Sequence, residues 1–512
     1  MAASTSPCHH DLTIALPDEA ATRALGAELA LFVGPGDRLL LRGDLGSGKS
    51  TLARALIHAL APDLGPFEVP SPTFTLVQTY EFTRIPAVHV DLYRIGDPVE
   101  VDELGLDELA EGAVMLIEWP DRLPGVAADR LDIHLKVEGA GRVAVLRGLG
   151  GWTARLARFA AARDFISGWC PAGACRRFMQ GDASSRRYER VACPGKPPAI
   201  LMDMPARSGG RPVRGGRGYD ELAHLARDAG AVYAIATVLR ERGYSAPDIH
   251  AHDLPRGLML LEDLGAAVFG DLYRQGEMRK PLAAATDLLA DMATRGWPRA
   301  VALPGGGVHE PADYDDDAFL IEAELLLDWY WPHLSDTRPD DTARTAFTAS
   351  WRALLPRARV GQPVWVLRDY HSPNLIWLAE RDGLKRVGLI DTQDAVLGPA
   401  AYDLASLLQD ARFTIPAALE EEMLARYLTS RRAADADFDD NAFRAAYAIM
   451  AAQRASKVLG IFARLAMRDR KPAYLAHIPR VRHYLRRTLK HPALAPLAAW
   501  FTRHFPHGLK EE

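Results

Sequence analysis

The chain has only four cysteines in 512 residues, Cys8, Cys170, Cys175 and Cys193. That is too few to scaffold a fold by cross-links, so a reducing compartment is expected. Cys170 and Cys175 lack C-x-x-C spacing and have no second ligand pair nearby, which argues against zinc. No run of about 18 apolar residues occurs, so no membrane-spanning helix and no membrane partner are expected. The opening stretch MAASTSPCHHDLTIALPDEAATRAL has no basic segment leading into an apolar one, so a cytoplasmic location is expected. Cys8-His9-His10 reads as part of an N-terminal tail. The charge imbalance is small, 61 Lys+Arg against 66 Asp+Glu, net −5. That excludes a global basic field for gripping nucleic acid. No internal repeat relates the two halves. What is present, 48% hydrophobic and 25% charged residues, is the composition of a globular protein, long enough for two or three domains.

The first 150 residues read as an α/β unit. GDRLLLRGDLGSGKSTLARALIHAL runs from an apolar strand at Leu39–Leu41, through glycines, into a helix with Leu52, Leu56 and Leu60 on one face. AVHVDLYR (87–94) and GAVMLIEWP (112–120) are apolar runs ending in acids, the pattern of buried parallel strands. Residues 130–149 alternate, turn at Gly139-Ala140-Gly141 and alternate again, a hairpin that closes the domain. A boundary is expected near Gly148–Gly151. Beyond it, strand-like segments lead to a helical region after Tyr219. The loop ARSGGRPVRGGRGYD (206–220) reads as an unstructured surface insertion, because its Gly/Arg composition buries no core.

Gly43 to Ser50 satisfies G-x-x-x-x-G-K-[ST] between a strand and a helix. Glycines let backbone N–H groups wrap phosphates, and the helix N-terminus adds positive potential. Lys49 would reach the β- and γ-phosphates and Ser50 would ligate Mg²⁺. Gly43, Gly46, Ser47, Gly48 and Thr51 complete the nucleotide-binding set. With SPTFTLVQTY, HVDLYRIGDP and IEWPDRL, this loop resembles the TsaE family across residues 10–150. The resemblance implies a P-loop ATPase with a mostly parallel sheet that supports threonylcarbamoyl-adenosine formation on tRNA. Its partners would be a TsaB–TsaD pair, and tRNA would be met only indirectly. It also implies that Asp91 is the acid near Mg²⁺, that Thr73 lies in a switch segment, and that Glu118 and Trp119 belong to the active site, Glu118 with a catalytic part.

A second phosphate device lies downstream. In VWVLRDYHSPNLIWL, Asp369 and Asn374 have the D-x-x-x-x-N spacing of kinase catalytic loops, and Asp391 ends the strand RVGLID. Asp369 would accept or orient the substrate hydroxyl, while Asn374 and Asp391 would hold Mg²⁺ against ATP. IDTQDAVLGPAAYDLASLLQDAR makes this stretch resemble the aminoglycoside phosphotransferase superfamily, whose fold is α+β, bilobal and kinase-like. GDASSRRYERV, ILMDMP, LLEDLG and ELLLDWY bring it closer to AmgK-type sugar kinases over roughly 155–490. That implies a domain over 155–512 that makes a sugar 1-phosphate from N-acetylmuramate or N-acetylglucosamine in peptidoglycan recycling. Ser184 and Ser185 would cover the phosphates, Glu262 and Leu264 would lie in the hinge beside adenine, and Asp403 would brace the catalytic loop.

Two residues of the kinase pattern are missing. Leu367 stands where a histidine usually opens the loop, and AILMDMP carries no strand lysine. Arg186 or Arg187 is a candidate replacement for the lysine. His371, Glu324 and Asp328 are candidate substrate contacts. The open alternative is a phosphotransferase for an aminoglycoside or choline-like molecule, with the P-loop part as a regulatory or scaffold module.

Overall fold

A computed structural model describes residues 11–65, 67–97, 99–179, 186–207 and 209–510. Cys8, His9, His10, Ser184 and Ser185 lie outside them. The chain packs into two compact units: Met1–Met204 with Ala251–Leu260, and Pro205–His250 with Leu261–Glu512. The functional boundary expected at 150–155 lies inside the first unit.

The first unit holds a seven-stranded sheet. Its spatial order is Asp11–Leu16, Gly141–Leu149, Arg130–Glu138, Arg38–Arg42, Val114–Glu118, Ala87–Asp91, Val77–Tyr80. The three central pairings are parallel and the outer ones antiparallel. The centre is parallel because Arg38–Arg42, Ala87–Asp91 and Val114–Glu118 are apolar runs buried on both faces. Helix Lys49–Ala59 leaves the phosphate loop with Leu52, Ala53, Leu56 and Ile57 buried. In parallel register Asp91 lies beside Glu118, so both strands deliver their terminal carboxylate to one edge.

Gly151 is followed at once by helix Trp152–Trp169, with no linker between. Trp152 donates its indole N–H to Asp37, which also receives both Nη atoms of Arg155, at 2.6 and 2.5 Å. Phe159 packs edge-on against Phe32. The far side of this core is a second sheet containing Cys175–Met179, Arg187–Ala192, Ala199–Asp203 and Leu258–Glu262. Val191, Ala199, Leu201, Leu258 and Leu260 belong to the same hydrophobic cluster as Leu52, Leu56, Phe159 and Ile166. Each buried Val or Leu contributes about 1.5–3 kcal/mol, so the P-loop region and this sheet fold on one core. Strand alternation puts Arg187, Glu189 and Asp203 on that core-facing side and Tyr188, Arg190 and Met202 on the other. Arg187 stacks 3.5 Å over Phe32 and pairs with Glu189 at 3.3 Å, while Asp203 is ion-paired with Arg158. Among the cysteines, Cys170 and Cys193 form a disulfide and Cys175 is free. The four thiols expected to be reduced are therefore partly paired, because the end of the helix returns beside the end of strand Arg187–Ala192.

The second unit is built around helix Asp440–Met467, started by the Asp439 carboxylate accepting from the Asn441 and Ala442 N–H groups. It is buried along most of its length because small alanines let neighbouring helices approach on several sides. At Gly460 a Cβ would meet the Leu325 carbonyl oxygen at 2.3 Å. Only glycine lets the π-helical turn Leu326–Tyr330 close against it. The Arg/Gly stretch is not an unstructured insertion. Pro212–Arg214 and Arg217–Gly218 form a hairpin, and Arg214 ion-pairs with the buried Glu324. A distant carboxylate thus supplies the order that the local composition lacks.

Candidate active sites

In the phosphate loop, Gly43, Gly46 and Gly48 have φ of 137°, 77° and 103°, values open to glycine and strained for other residues. A Cβ on Gly43 would also meet the Leu135 carbonyl oxygen at 2.3 Å. Lys49 Nζ donates to the carbonyls of Gly43 and Asp44, both at 2.9 Å, and lies 4.0 Å over Trp119. Burial lowers its pKa against the raising charges of Glu118, Asp91 and Asp44. Ser50 donates to Glu118 at 3.0 Å, and Glu118 is joined to His89 at 2.9 Å. Thr73 and Ser71 donate to Asp91 at 3.0 and 3.4 Å. Lys49, Ser50, Thr51, Thr73, Asp91, Glu118 and Trp119 all line one cavity of about 270 Å³. Arg142 and Tyr93 line it too. Sequence reasoning missed Arg142, Ser71 and His89, whose roles arise from strand pairing across long separations. One hydroxyl, one carboxylate and room for phosphates form the hard-oxygen donor set that Mg²⁺ accepts while keeping its waters.

In the second unit, Arg368 has φ 67° and Asp391 φ 60°, strained conformations of the kind concentrated at functional loops. Asp403 holds the strain at Arg368 by accepting the N–H groups of Leu367 at 2.6 Å and Arg368 at 2.9 Å. This is the brace expected of Asp403, and it fixes the loop where the usual histidine is Leu367. Burial, with the neighbouring charge of Asp369, pushes Asp403 up to about 7 against those two hydrogen bonds. Asn374 donates to the Asp369 carbonyl at 3.0 Å, and its own carbonyl accepts from Ile390 N at 3.1 Å. These bonds hold Asp369 and Asn374 together and bring the backbone at Ile390, next to Asp391, against Asn374. Gln393 holds the Asp391 carboxylate at 3.2 Å.

A buried ionic network supports this loop. Arg368 ion-pairs with Glu322, which also takes Lys457 at 2.8 Å, Tyr314 and Gln453. Desolvation by the surrounding protein opposes an ionised Asp369, yet the positive charges of Lys457, Arg368 and Arg454 help hold its pKa below the ordinary carboxylate value. Burial pushes His371 down to about 4. That imidazole is neutral at pH 7, so the permanent cations carry the effect. Asp369 is consequently ionised, and with 43% of its side chain exposed it is open to a substrate hydroxyl.

The remaining candidates divide. Leu264 packs with Ile376, Leu378 and Ile390 as an apolar floor that sequence reasoning did not single out. The Glu262 carboxylate is turned to Arg381 at 2.7 Å, Arg240 at 3.3 Å and Asp248 N at 3.1 Å. Glu324 is taken by Arg214, and Asp328 pairs with Arg344 at 2.6 Å. Glu324 is enclosed by its contacts, whereas Asp328 keeps 36% of its side chain exposed. Arg187, on the core side of its strand, is removed as a phosphate ligand.

Residues 176–438 match the model of the phosphotransferase enzyme family. The chain belongs to that family. Residues 16–144 match the threonylcarbamoyl adenosine biosynthesis protein TsaE model, so the phosphotransferase carries a TsaE-family domain ahead of it. An N-acetylmuramate/N-acetylglucosamine kinase of Caulobacter vibrioides is 38% identical over 341 residues, 65% of this chain and 92% of that protein. A TsaE protein of Bacillus subtilis is 40% identical over 128 residues, 24% of this chain and 75% of that protein. One from Rickettsia felis is 39% identical over 123 residues, 24% of this chain and 71% of that protein. The phosphotransferase therefore joins two nucleotide-using enzyme families in one polypeptide. No helix among its described residues is long and apolar enough to cross a membrane.

Proposed function

We propose that the chain is a bifunctional cytoplasmic enzyme. Its domain over 1–150 is an ATPase that supports threonylcarbamoyl-adenosine modification of tRNA alongside TsaB–TsaD-type partners. Its domain over 155–512 is a kinase of the anomeric hydroxyl of N-acetylmuramate and N-acetylglucosamine in peptidoglycan recycling. The observation that carries the sugar is the 38% identity reaching across 92% of a kinase for those two compounds. The catalytic constellation carries the chemistry.

In the kinase, Asp369 takes the proton of the anomeric hydroxyl as that oxygen bonds the γ-phosphorus. The bond to the β–γ bridging oxygen breaks, leaving sugar 1-phosphate and ADP. Asn374 and Asp391 would hold Mg²⁺, which neutralises phosphate charge when bound. The strained loop keeps Asp369 and Asn374 in register with no rearrangement during the reaction. In the ATPase, Lys49 meets the β- and γ-phosphates. Ser50 and Asp91 would hold the metal, and Glu118, steadied by His89, orients the attacking water.

Paired variants test this reading. Lys49→Ala should abolish support of tRNA modification and leave sugar phosphorylation intact, and Asp369→Ala should do the reverse. Loss of both activities in either variant would overturn the independence of the two sites. A panel of sugars, aminoglycosides and choline with ATP, read by product phosphate position, tests the substrate; transfer only to a drug or choline would overturn the sugar assignment.

A further inference from the structure

Arg454 is an anomaly in the long helix. Its residue is only 7% exposed, yet no hydrogen bond or ion pair joins its guanidinium to any described residue. None of its guanidinium nitrogens is among the fully enclosed polar atoms without a partner, so the stem is buried while the unpaired head stays open to a ligand's counter-charge. The neighbouring helix positions are fully engaged. Gln453 donates to the Phe319 carbonyl at 3.1 Å and to Glu322 at 3.3 Å, and Lys457 is committed to Glu322 at 2.8 Å. Those two anchors clamp the helix to Arg368, and so to the catalytic loop. Arg454 lies between them with its charge acting on Asp369, His371 and Asp403. The Nδ1 of the buried His371 also lacks a partner. Two polar groups without partners, on Arg454 and His371, thus belong to the surroundings of Asp369.

The two sugars of the proposed reaction differ in one chemical respect that such a site can read. N-acetylmuramate carries a lactyl ether ending in a carboxylate, which N-acetylglucosamine lacks. We propose that Arg454 is the specificity residue that pairs with the sugar's carboxylate and holds the anomeric hydroxyl toward Asp369. This rests on the sugar-kinase reading above. A planar guanidinium suits a carboxylate because it offers two parallel N–H donors. N-acetylglucosamine would leave Arg454 unpaired, as it is in the free protein, and bind through its remaining groups.

The full-length protein is assayed with ATP and each sugar separately, for wild type, Arg454→Met and Arg454→Lys. Arg454→Met should raise KM for N-acetylmuramate by roughly 10- to 100-fold, the worth of a charge-assisted pair. KM for N-acetylglucosamine should rise much less, so that the ratio of the two KM values shifts by roughly 10-fold or more, and any fall in kcat through Asp369 should be shared by both sugars and smaller than the KM effect. Arg454→Lys should recover part of the loss, since it keeps the charge and not the fork. The melting temperature of Arg454→Met should match that of wild type, because no group of the protein loses a partner; a purely structural arginine would give a lower one. Equal loss of kcat with both sugars and no shift in the KM ratio would place Arg454 on the transferred phosphoryl group or on Asp369 and overturn the proposal. No change with either sugar would overturn it too. A wild-type enzyme inert towards both sugars would instead sink the substrate reading, and this one with it.

Discussion

Asp37 joins the P-loop region to helix Trp152–Trp169, and replacing it tests whether they form one cooperative unit. In Asp37→Ala, the fully buried Trp152 loses the acceptor of its indole N–H, a cost of about 1–3 kcal/mol. The Arg155 side chain is 34% exposed, so water takes up much of its charge and the lost pair adds only about 1 kcal/mol. The total, about 2–4 kcal/mol, corresponds to roughly 5–15 °C for a unit of this size. The assay is calorimetry alongside heat-inactivation curves for sugar phosphorylation and for ATP hydrolysis. Both activities should be lost at the same lowered temperature, with Asp37→Asn in between because its amide oxygen still serves Trp152. A loss under about 1 kcal/mol would refute the anchoring role. A kinase curve that stays at the wild-type temperature while ATPase activity fails early would refute the shared core.

Gly43→Ala should abolish nucleotide binding at the P-loop, measured with a fluorescent ATP analogue, because the new Cβ meets the Leu135 carbonyl at 2.3 Å. His89→Leu should lower ATP hydrolysis by about 10-fold or more while binding persists, since Glu118 loses the group that orients it; unchanged turnover would remove His89 from the mechanism. Asp403 has a folded pKa of about 7, above the ordinary carboxylate value of about 4. The fold therefore favours its protonated form, and this stabilisation is full below about pH 4 and disappears as pH rises through about 7. Chemical denaturation at pH 5 and pH 8 should show wild type losing stability relative to Asp403→Asn, and parallel pH profiles would contradict the shift.

Chemistry that depends on local backbone was legible before any coordinates. Gly43–Ser50 and Asp369–Asn374 are read from spacing because a phosphate or a metal reaches only a few consecutive residues. The strands ending in Asp91 and Glu118 were legible too, since burial on both faces leaves an unbroken apolar run. Groups whose meaning comes from distant partners were not. Arg214 looked like part of a loose loop until Glu324, 110 positions away, ordered it. Arg187 looked free until strand alternation turned it onto Phe32. Cys170 and Cys193 gave no sign of pairing, since nothing in their spacing says that the helix end returns to that strand. Arg454 sits in an alanine-rich helix like an ordinary exposed cation, and only its burial singles it out.

The absence of a linker at Gly151 has a cellular consequence. Two enzymes on a flexible tether can be cut apart, expressed as fragments or turned over at different rates. Here a cut near residue 150 would open a hydrophobic core rather than free two enzymes, and the pieces would be substrates for proteases and chaperones. The phosphate loop and the kinase loop are therefore made and destroyed together, in a fixed one-to-one ratio. Every copy of one loop made from this chain brings a copy of the other.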